Sequence, residues 1–185
     1  MDIIKGMSID LKLMDESDIE QVRLWRNSKE VSNFMLSQSV ISKDYQHKWF
    51  ESIKNNPAYV YFIILSKEGE KLGVVSLNKI DKVQKTTEPG LYIGSTKHRN
   101  SLFGIEAYYR LLNFGFVELK LDKVFGTVLS SNKVAIKMNK SFGYTTDCIL
   151  KDHIKIDDIS HDAYKIWLSK EDFYASPMAN FFKVK

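Results

Sequence analysis

Residues 88–144 read as a strand, a polar turn, a long helix, a second strand and a short helix led by Asn132. No other stretch restricts the fold so strongly. Leu91, Tyr92 and Ile93 are strand formers. Ile105, Tyr108, Leu112, Phe116 and Leu119 keep helical spacing over about four turns. Lys123–Leu129 returns to a strand pattern, and Val134, Met138 and Phe142 then mark a helix that Gly143 stops. A strand that passes through a helix into another strand requires a sheet with a helix laid across it.

The preceding residues extend the same sheet. Residues 9–14 alternate apolar and polar side chains, as a half-buried strand does. Ser17-Asp18-Ile19-Glu20 has the form of a capping box, and Ile19, Val22, Leu24 and Trp25 follow on one helix face. Residues 31–41 carry no pattern. Ser42 is the next N-cap, with Asp44 in the first turn, and Tyr45, Trp49, Phe50 and Ile53 make an amphipathic helix that Asn55-Asn56-Pro57 ends. Residues 59–65 are a β-branched and aromatic run, turned by Lys67-Glu68-Gly69-Glu70 into residues 72–77. Residues 80–87 read as a polar connection, and residues 144–150 and 163–168 as the last strands. The expected fold is a mixed α/β (α+β) one, a mostly antiparallel sheet of about seven strands flanked by about four helices. No repeat or linker divides residues 1–185, so one domain is expected. Phe181-Phe182 in the tail, residues 176–185, suit docking on the body or on a second copy in a homodimer.

Composition narrows the functions. A 44% hydrophobic content over 185 residues supplies one core, and 11 Phe, 9 Tyr and 3 Trp argue against disorder. The net charge of +4, from 27 basic and 23 acidic residues, includes no dense basic run. It suits a pocket for a phosphorylated small molecule and excludes nucleic acid as the main partner. The single Cys148 forms no internal disulfide and reads as a half-buried strand residue. The longest apolar run, around residues 60–65, is far short of the ~20 residues of a membrane-spanning helix, and the first residues contain no apolar leader. A cytoplasmic protein without a membrane segment is expected. No His, Cys, Asp or Glu cluster has ligand spacing, so no metal is expected.

The turn from Gly94 to Leu102 carries the first chemical signal. A strand-to-helix turn exposes several N–H groups at a helix N-terminus, which is an anion site matched to a pyrophosphate. Gly104 allows close backbone approach there, and Lys97 and Arg99 add positive charge. The second signal is Ser130-Ser131-Asn132-Lys133-Val134-Ala135, which starts a helix directly after a strand. It leads to Lys140-Ser141-Phe142-Gly143-Tyr144, a helix stop before the next strand.

Together these segments resemble the GNAT superfamily of acetyltransferases. Arg99 and Gly104 fall on the first and last positions of its acetyl-CoA motif, Q/R-x-x-G-x-G/A. Asn132, Ala135 and Phe142-Gly143-Tyr144 resemble its Asn-x-x-Ala … Gly-Phe ending. The resemblance implies acetyl-CoA as co-substrate, held by Leu91, Tyr92, Ile93, Arg99, Asn100, Gly104, Ile105, Asn132 and Ala135. Two positions depart from the pattern. Leu102 stands at the middle glycine, and Asn139 stands where many members have a tyrosine that protonates the leaving thiolate. An amide is no acid, so Ser141, Tyr144 or water would serve instead.

A narrower resemblance joins Leu24-Trp25-Arg26-Asn27, Val31, Met35, Ile41, His47-Lys48-Trp49-Phe50 and Glu88-Pro89-Gly90-Leu91-Tyr92. These look like the amino-sugar N-acetyltransferases of the pseudaminic acid pathway, which acetylate the 4-amino group of a UDP-linked sugar. The resemblance implies a nucleotide-sugar pocket lined by Arg26, Met35, His47 and Trp49. The reaction is then direct attack of the amine on the thioester, needing a base, an oxyanion donor and positioning. Glu88 is the candidate base, directly or through a water, and needs burial to raise its basicity. Two alternatives stay open: a ribosomal-protein-like N-terminal acetyltransferase, and a non-catalytic acyl-CoA-binding module.

Overall fold

The computed structural model describes residues 3–37, 39–99, 101–156 and 159–183. Eight strands form one sheet in the order β1-β2-β3-β4-β5-β6-β8-β7. They are β1 (Ile3–Lys5), β2 (Ile9–Leu13), β3 (Val60–Ser66), β4 (Lys71–Asp81), β5 (Thr86–Ile93), β6 (Lys123–Leu129), β7 (Thr145–Ile156) and β8 (Ile159–Ser169). Every neighbouring pair is antiparallel except β5 and β6. The helices are α1 (Ile19–Asn27), α2 (Lys29–Ser32), α3 (Lys43–Lys54), α4 (Phe103–Val117), α5 (Lys133–Ser141), α6 (Lys170–Ala175) and α7 (Pro177–Lys183). The mixed, mostly antiparallel fold is the one expected, with β1, α2, α6 and α7 in addition. These four are too short for periodicity to reveal.

Two local expectations change. The cap before α1 is not built on Ser17: the Asp15 carboxylate accepts the Ser17 N–H at 2.9 Å, and Asp18 accepts the Asp15 N–H at 3.0 Å. Asp18 is fully buried and holds Lys71 at 2.6 Å and Lys12 at 2.9 Å, so the pair of aspartates knits α1 to the sheet. Residues 80–87 are largely strand. The β4–β5 hairpin runs on to Asp81 opposite Thr86, because polar side chains at its far end face water while the ladder continues.

The sheet buries a core on each face. On one, α4 lays Ala107, Leu111, Leu112 and Phe116 against Leu77, Phe62 and Val124, all almost completely buried. Each such Leu or Phe contributes roughly 1.5–3 kcal/mol. On the other, α1 and α3 set Val22, Trp25, Phe50 and Ile53 over Ile63 and Val74. The tail docks on the first core, with Phe182 buried and stacked on Tyr109 at 4.9 Å, while Phe181 stays 42% exposed. Cys148 is on strand β7 but exposed, since that edge strand has no helix over it. No helix among the described residues is long and apolar enough to cross a membrane.

Candidate active site

The parallel pair β5 and β6 is registered only at Thr86–Lys123 and Thr87–Val124. Beyond Thr87 and Val124 the strands part, so a wedge opens between the ends that lead into α4 and α5. A helix follows each strand at that mouth. The carbonyls and N–H groups that would have joined the strands face the wedge instead, which gives an extended ligand a ladder to pair with.

The α4 end of the wedge is the turn from Gly94 to Leu102, where an anion site is expected. Among the described residues no side chain caps α4, and the side-chain contact found to its first N–H groups is a 3.4 Å one from Phe103 N–H to Ser101 Oγ. First-turn amides without a side-chain cap carry the positive end of the helix dipole, which favours a nearby anion. Arg99 sits half-buried on the same turn, and its Nη2 has no partner among the described residues. An orphaned buried donor of this kind costs about 1–3 kcal/mol, and a diphosphate would satisfy it. Gly104 lies close over Ile93: a Cβ there would stand 3.3 Å from Ile93 Cγ1. Leu102, at the motif's departing position, turns outward and is 64% exposed, so its side chain stays out of the expected site. Asn100 lies outside the described residues.

The α5 end is held by Asn132, whose Oδ1 accepts the Ala135 N–H at 3.0 Å as an N-cap. Gly143 ends α5 with φ +90°, a left-handed conformation that glycine adopts without strain. Asn139 is buried and lines a cavity of about 20 Å³ with Tyr144, Tyr164 and Ile166. The nearby hydroxyls are engaged. Ser141 Oγ donates to the Met138 carbonyl at 2.7 Å, and the Tyr144 and Tyr108 hydroxyls share a hydrogen bond of 2.7 Å. Burial pushes both phenols well above their usual range.

β5 also divides the site's two faces. Leu91 and Ile93 pack into the α4 core, whereas Tyr92 packs between the sheet and α1. Trp25 meets Tyr92 edge-on at 6.5 Å and lies so close over Gly94 that any Cβ there would collide with the indole. Glu88, at the other end of β5, is half-exposed and bound to Lys79 at 2.9 Å. The burial that a strongly basic carboxylate needs is absent at that position.

Four side chains expected to line an acceptor pocket divide likewise. Arg26 is half-buried at the end of α1, its Nη2 reaching the Ser37 carbonyl at 3.4 Å and its Nε buried without a partner among the described residues. Met35 packs beside it in the α1–α3 core, and Trp49 stands edge-on to Tyr61 at 5.1 Å. His47 instead points outward from α3, close enough to Glu20 on α1 for their charges to interact.

The structure adds polar residues that the sequence reading did not single out. Tyr61 Oη donates to Asn78 Oδ1 at 2.5 Å, and Asn78 Nδ2 donates to Ser76 Oγ at 3.0 Å and to the Glu88 carbonyl at 3.1 Å. Ser76 and Asn78 interrupt an apolar strand at alternate positions, which places both on one face. That alternation was the available signal. Burial, then Tyr59, push the Tyr61 phenol up to about 12, and burial pushes Tyr92 higher; the Arg26 charge opposes the rise in both. The Tyr92 hydroxyl and Gln46 Nε2 are also buried without a partner among the described residues.

A family model described as an acetyltransferase (GNAT) domain matches residues 9–145. An uncharacterised N-acetyltransferase, p20, of Bacillus licheniformis is 23% identical over 94% of this chain and 99% of its own length. A spermidine N(1)-acetyltransferase of Vibrio cholerae is 17% identical over 89% of this chain and 95% of its own. The crystal structure of the Vibrio cholerae spermidine N-acetyltransferase in complex with CoA and spermine has a TM-score of 0.86. It is 17% identical and covers 91% of this chain and 99% of that one. The parted strands, the uncapped α4 and the Asn-led α5 all lie within the matched block, and the chain belongs to the GNAT acetyltransferase family as an acetyl-CoA-dependent N-acetyltransferase.

Proposed function

We propose that this chain transfers the acetyl group of acetyl-CoA to the primary amine of a small molecule, most specifically an amino-deoxy sugar linked to a nucleotide. The observation that carries the transfer is the parting of β5 from β6 beside the uncapped start of α4. The one that favours a sugar is the hydroxyl and amide row of Tyr61, Ser76 and Asn78, flanked by Trp25 and Trp49. Such a row hydrogen-bonds hydroxyls while the rings cover apolar sugar faces.

In this reading the amides of Gly104 and Ile105, with Arg99, hold the diphosphate, and Asn132 and Ala135 hold the pantetheine arm. The bound co-substrate supplies an activated acetyl thioester. The main chain of Leu91, Tyr92 and Ile93 donates to the thioester carbonyl oxygen. Arg26, Met35 and Trp49 position the acceptor, with His47 at the outer rim. Glu88 draws off the ammonium proton through water, which its half-exposed carboxylate reaches directly. The amine nitrogen then bonds the acetyl carbon as the carbon–sulfur bond breaks. Ser141 and Tyr144 have their hydroxyls engaged, so water protonates the thiolate; a thiol of pKa ~8.5 needs only modest help.

A polyamine acceptor is the second reading, favoured by the likeness to the Vibrio cholerae spermidine enzyme. Self-association is also proposed, since a dodecameric structure of that enzyme matches with a TM-score of 0.77; sedimentation would measure it. The deciding experiment follows free thiol released from acetyl-CoA against UDP-linked 4-amino sugars, spermidine and a peptide N-terminus. Fastest release with the sugar supports the proposal, fastest release with spermidine supports the second reading, and none with any amine overturns both.

A further inference from the structure

Among the described residues, three buried polar atoms on the α1–α3 side of the sheet have no partner: Arg26 Nε, Gln46 Nε2 and the Tyr92 hydroxyl. Arg26 lies close enough to Tyr92 and Tyr61 for its charge to act on both phenols. A guanidinium Nε and an amide Nε2 only donate, and a phenol donates or accepts. Buried polar groups are ordinarily paired, so Arg26 Nε and the Tyr92 hydroxyl mark a place that lacks acceptors. The rest of the Arg26 guanidinium is scarcely used, with one contact of 3.4 Å to the Ser37 carbonyl. Nearby carboxylates are already taken, Glu20 by Arg23 at 2.8 Å and Glu88 by Lys79 at 2.9 Å.

From this donor-rich set we infer that the enzyme selects amines carrying an anionic oxygen group, phosphate or carboxylate, with Arg26 and the Tyr92 hydroxyl holding that group. The inference rests on the acetyl-transfer reading and adds the acceptor's charge to it. An anion supplies acceptors to Arg26 Nε and to Tyr92 at once, in a charge-assisted geometry that arginine favours. A polycation supplies only donors and meets the Arg26 charge with repulsion.

Two matched pairs test it with the full chain: glucosamine against glucosamine 6-phosphate, and putrescine against 4-aminobutyrate. In each, the anionic member is expected to have a kcat/KM at least about tenfold higher, the scale of one charge-assisted hydrogen bond. The phosphate and carboxylate pairs show which anion is preferred. Arg26→Gln and Tyr92→Phe are each expected to collapse that ratio, and Arg26→Lys to restore part of it. Putrescine preferred over 4-aminobutyrate, or a ratio unmoved by Arg26→Gln, overturns the inference and leaves acetyl transfer standing. If no amine turns over, thermal shift with CoA decides. Stabilisation by glucosamine 6-phosphate that Arg26→Gln removes upholds the anion site, and no stabilisation overturns it, while the transfer reading stands or falls on the thiol-release panel.

Discussion

The hydroxyls of Tyr108 on α4 and Tyr144, just before β7, share a 2.7 Å hydrogen bond inside the core. Removing one hydroxyl orphans the other in a site without water-facing surface. Tyr144→Phe is therefore expected to cost about 1–2 kcal/mol, a fall in Tm of about 3–6 °C for a chain of this size. The reacting atoms are not touched, so kcat should change by less than about twofold. A large loss of kcat with unchanged Tm would return Tyr144 to the role of acid.

Arg99 sets its unpartnered Nη2 beside the bare first turn of α4. Arg99→Gln should raise the KM for acetyl-CoA about tenfold, the worth of one charge-assisted hydrogen bond, with kcat little altered. Steady-state kinetics at saturating amine measure this. An unchanged KM would place the diphosphate elsewhere.

Asn132 caps α5, and its cofactor role is separable from its capping role. Asn132→Ala should lower stability by about 1 kcal/mol, the usual cost of a lost N-cap. Asn132→Asp keeps the cap oxygen and should restore Tm. An amide N–H donated to the pantetheine arm is not restored by aspartate, so the KM for acetyl-CoA should stay raised. Recovery of both would leave Asn132 a cap alone.

Glu88 is solvent-reachable and ion-paired with Lys79. Glu88→Gln is expected to lower kcat/KM by about ten- to a hundredfold, at or below the bottom of the usual range for a positioned base. The measurement is kcat/KM across pH, and an unchanged profile would remove Glu88 from the mechanism.

Two carboxylates tie acid stability to the β1–β2 and β2–α1 corners. Burial works against the charged form of Asp10, but hydrogen bonds from Lys67, Lys5 and the Gly6 N–H outweigh it and bring its pKa to about 2, from 3.8. The Lys12 ammonium, then the Ser17 hydroxyl, lower Asp15 to about 2 as well. Depressed carboxylates stabilise fully above their unfolded value, and that contribution disappears as pH falls through the folded one. Tm should therefore drop between pH 3.8 and about 2, and the drop should shrink in Asp10→Asn.

The block from β5 to α5 was legible because its signals are local. Strand formers, an Asn at a helix start and a glycine at a helix stop each act within a few residues. The acceptor face was only half legible. Arg26 and Trp49 stand in recognisable stretches, but Ser76 and Asn78 matter through a partner on another strand, Tyr61, that no spacing along the chain reveals. His47 was placed only by the fold: its neighbours Gln46 and Phe50 are buried, yet the helix rotates it to solvent.

What the sequence by itself determined is the order of the longer strands and helices and the turn that leads into α4, since both follow from periodicity and local backbone chemistry. Tertiary structure alone decided which polar groups are left without partners. Whether Arg26 Nε, the Tyr92 hydroxyl and Arg99 Nη2 are satisfied depends on what other elements bring within hydrogen-bond reach, and desolvation makes that pairing the costly variable.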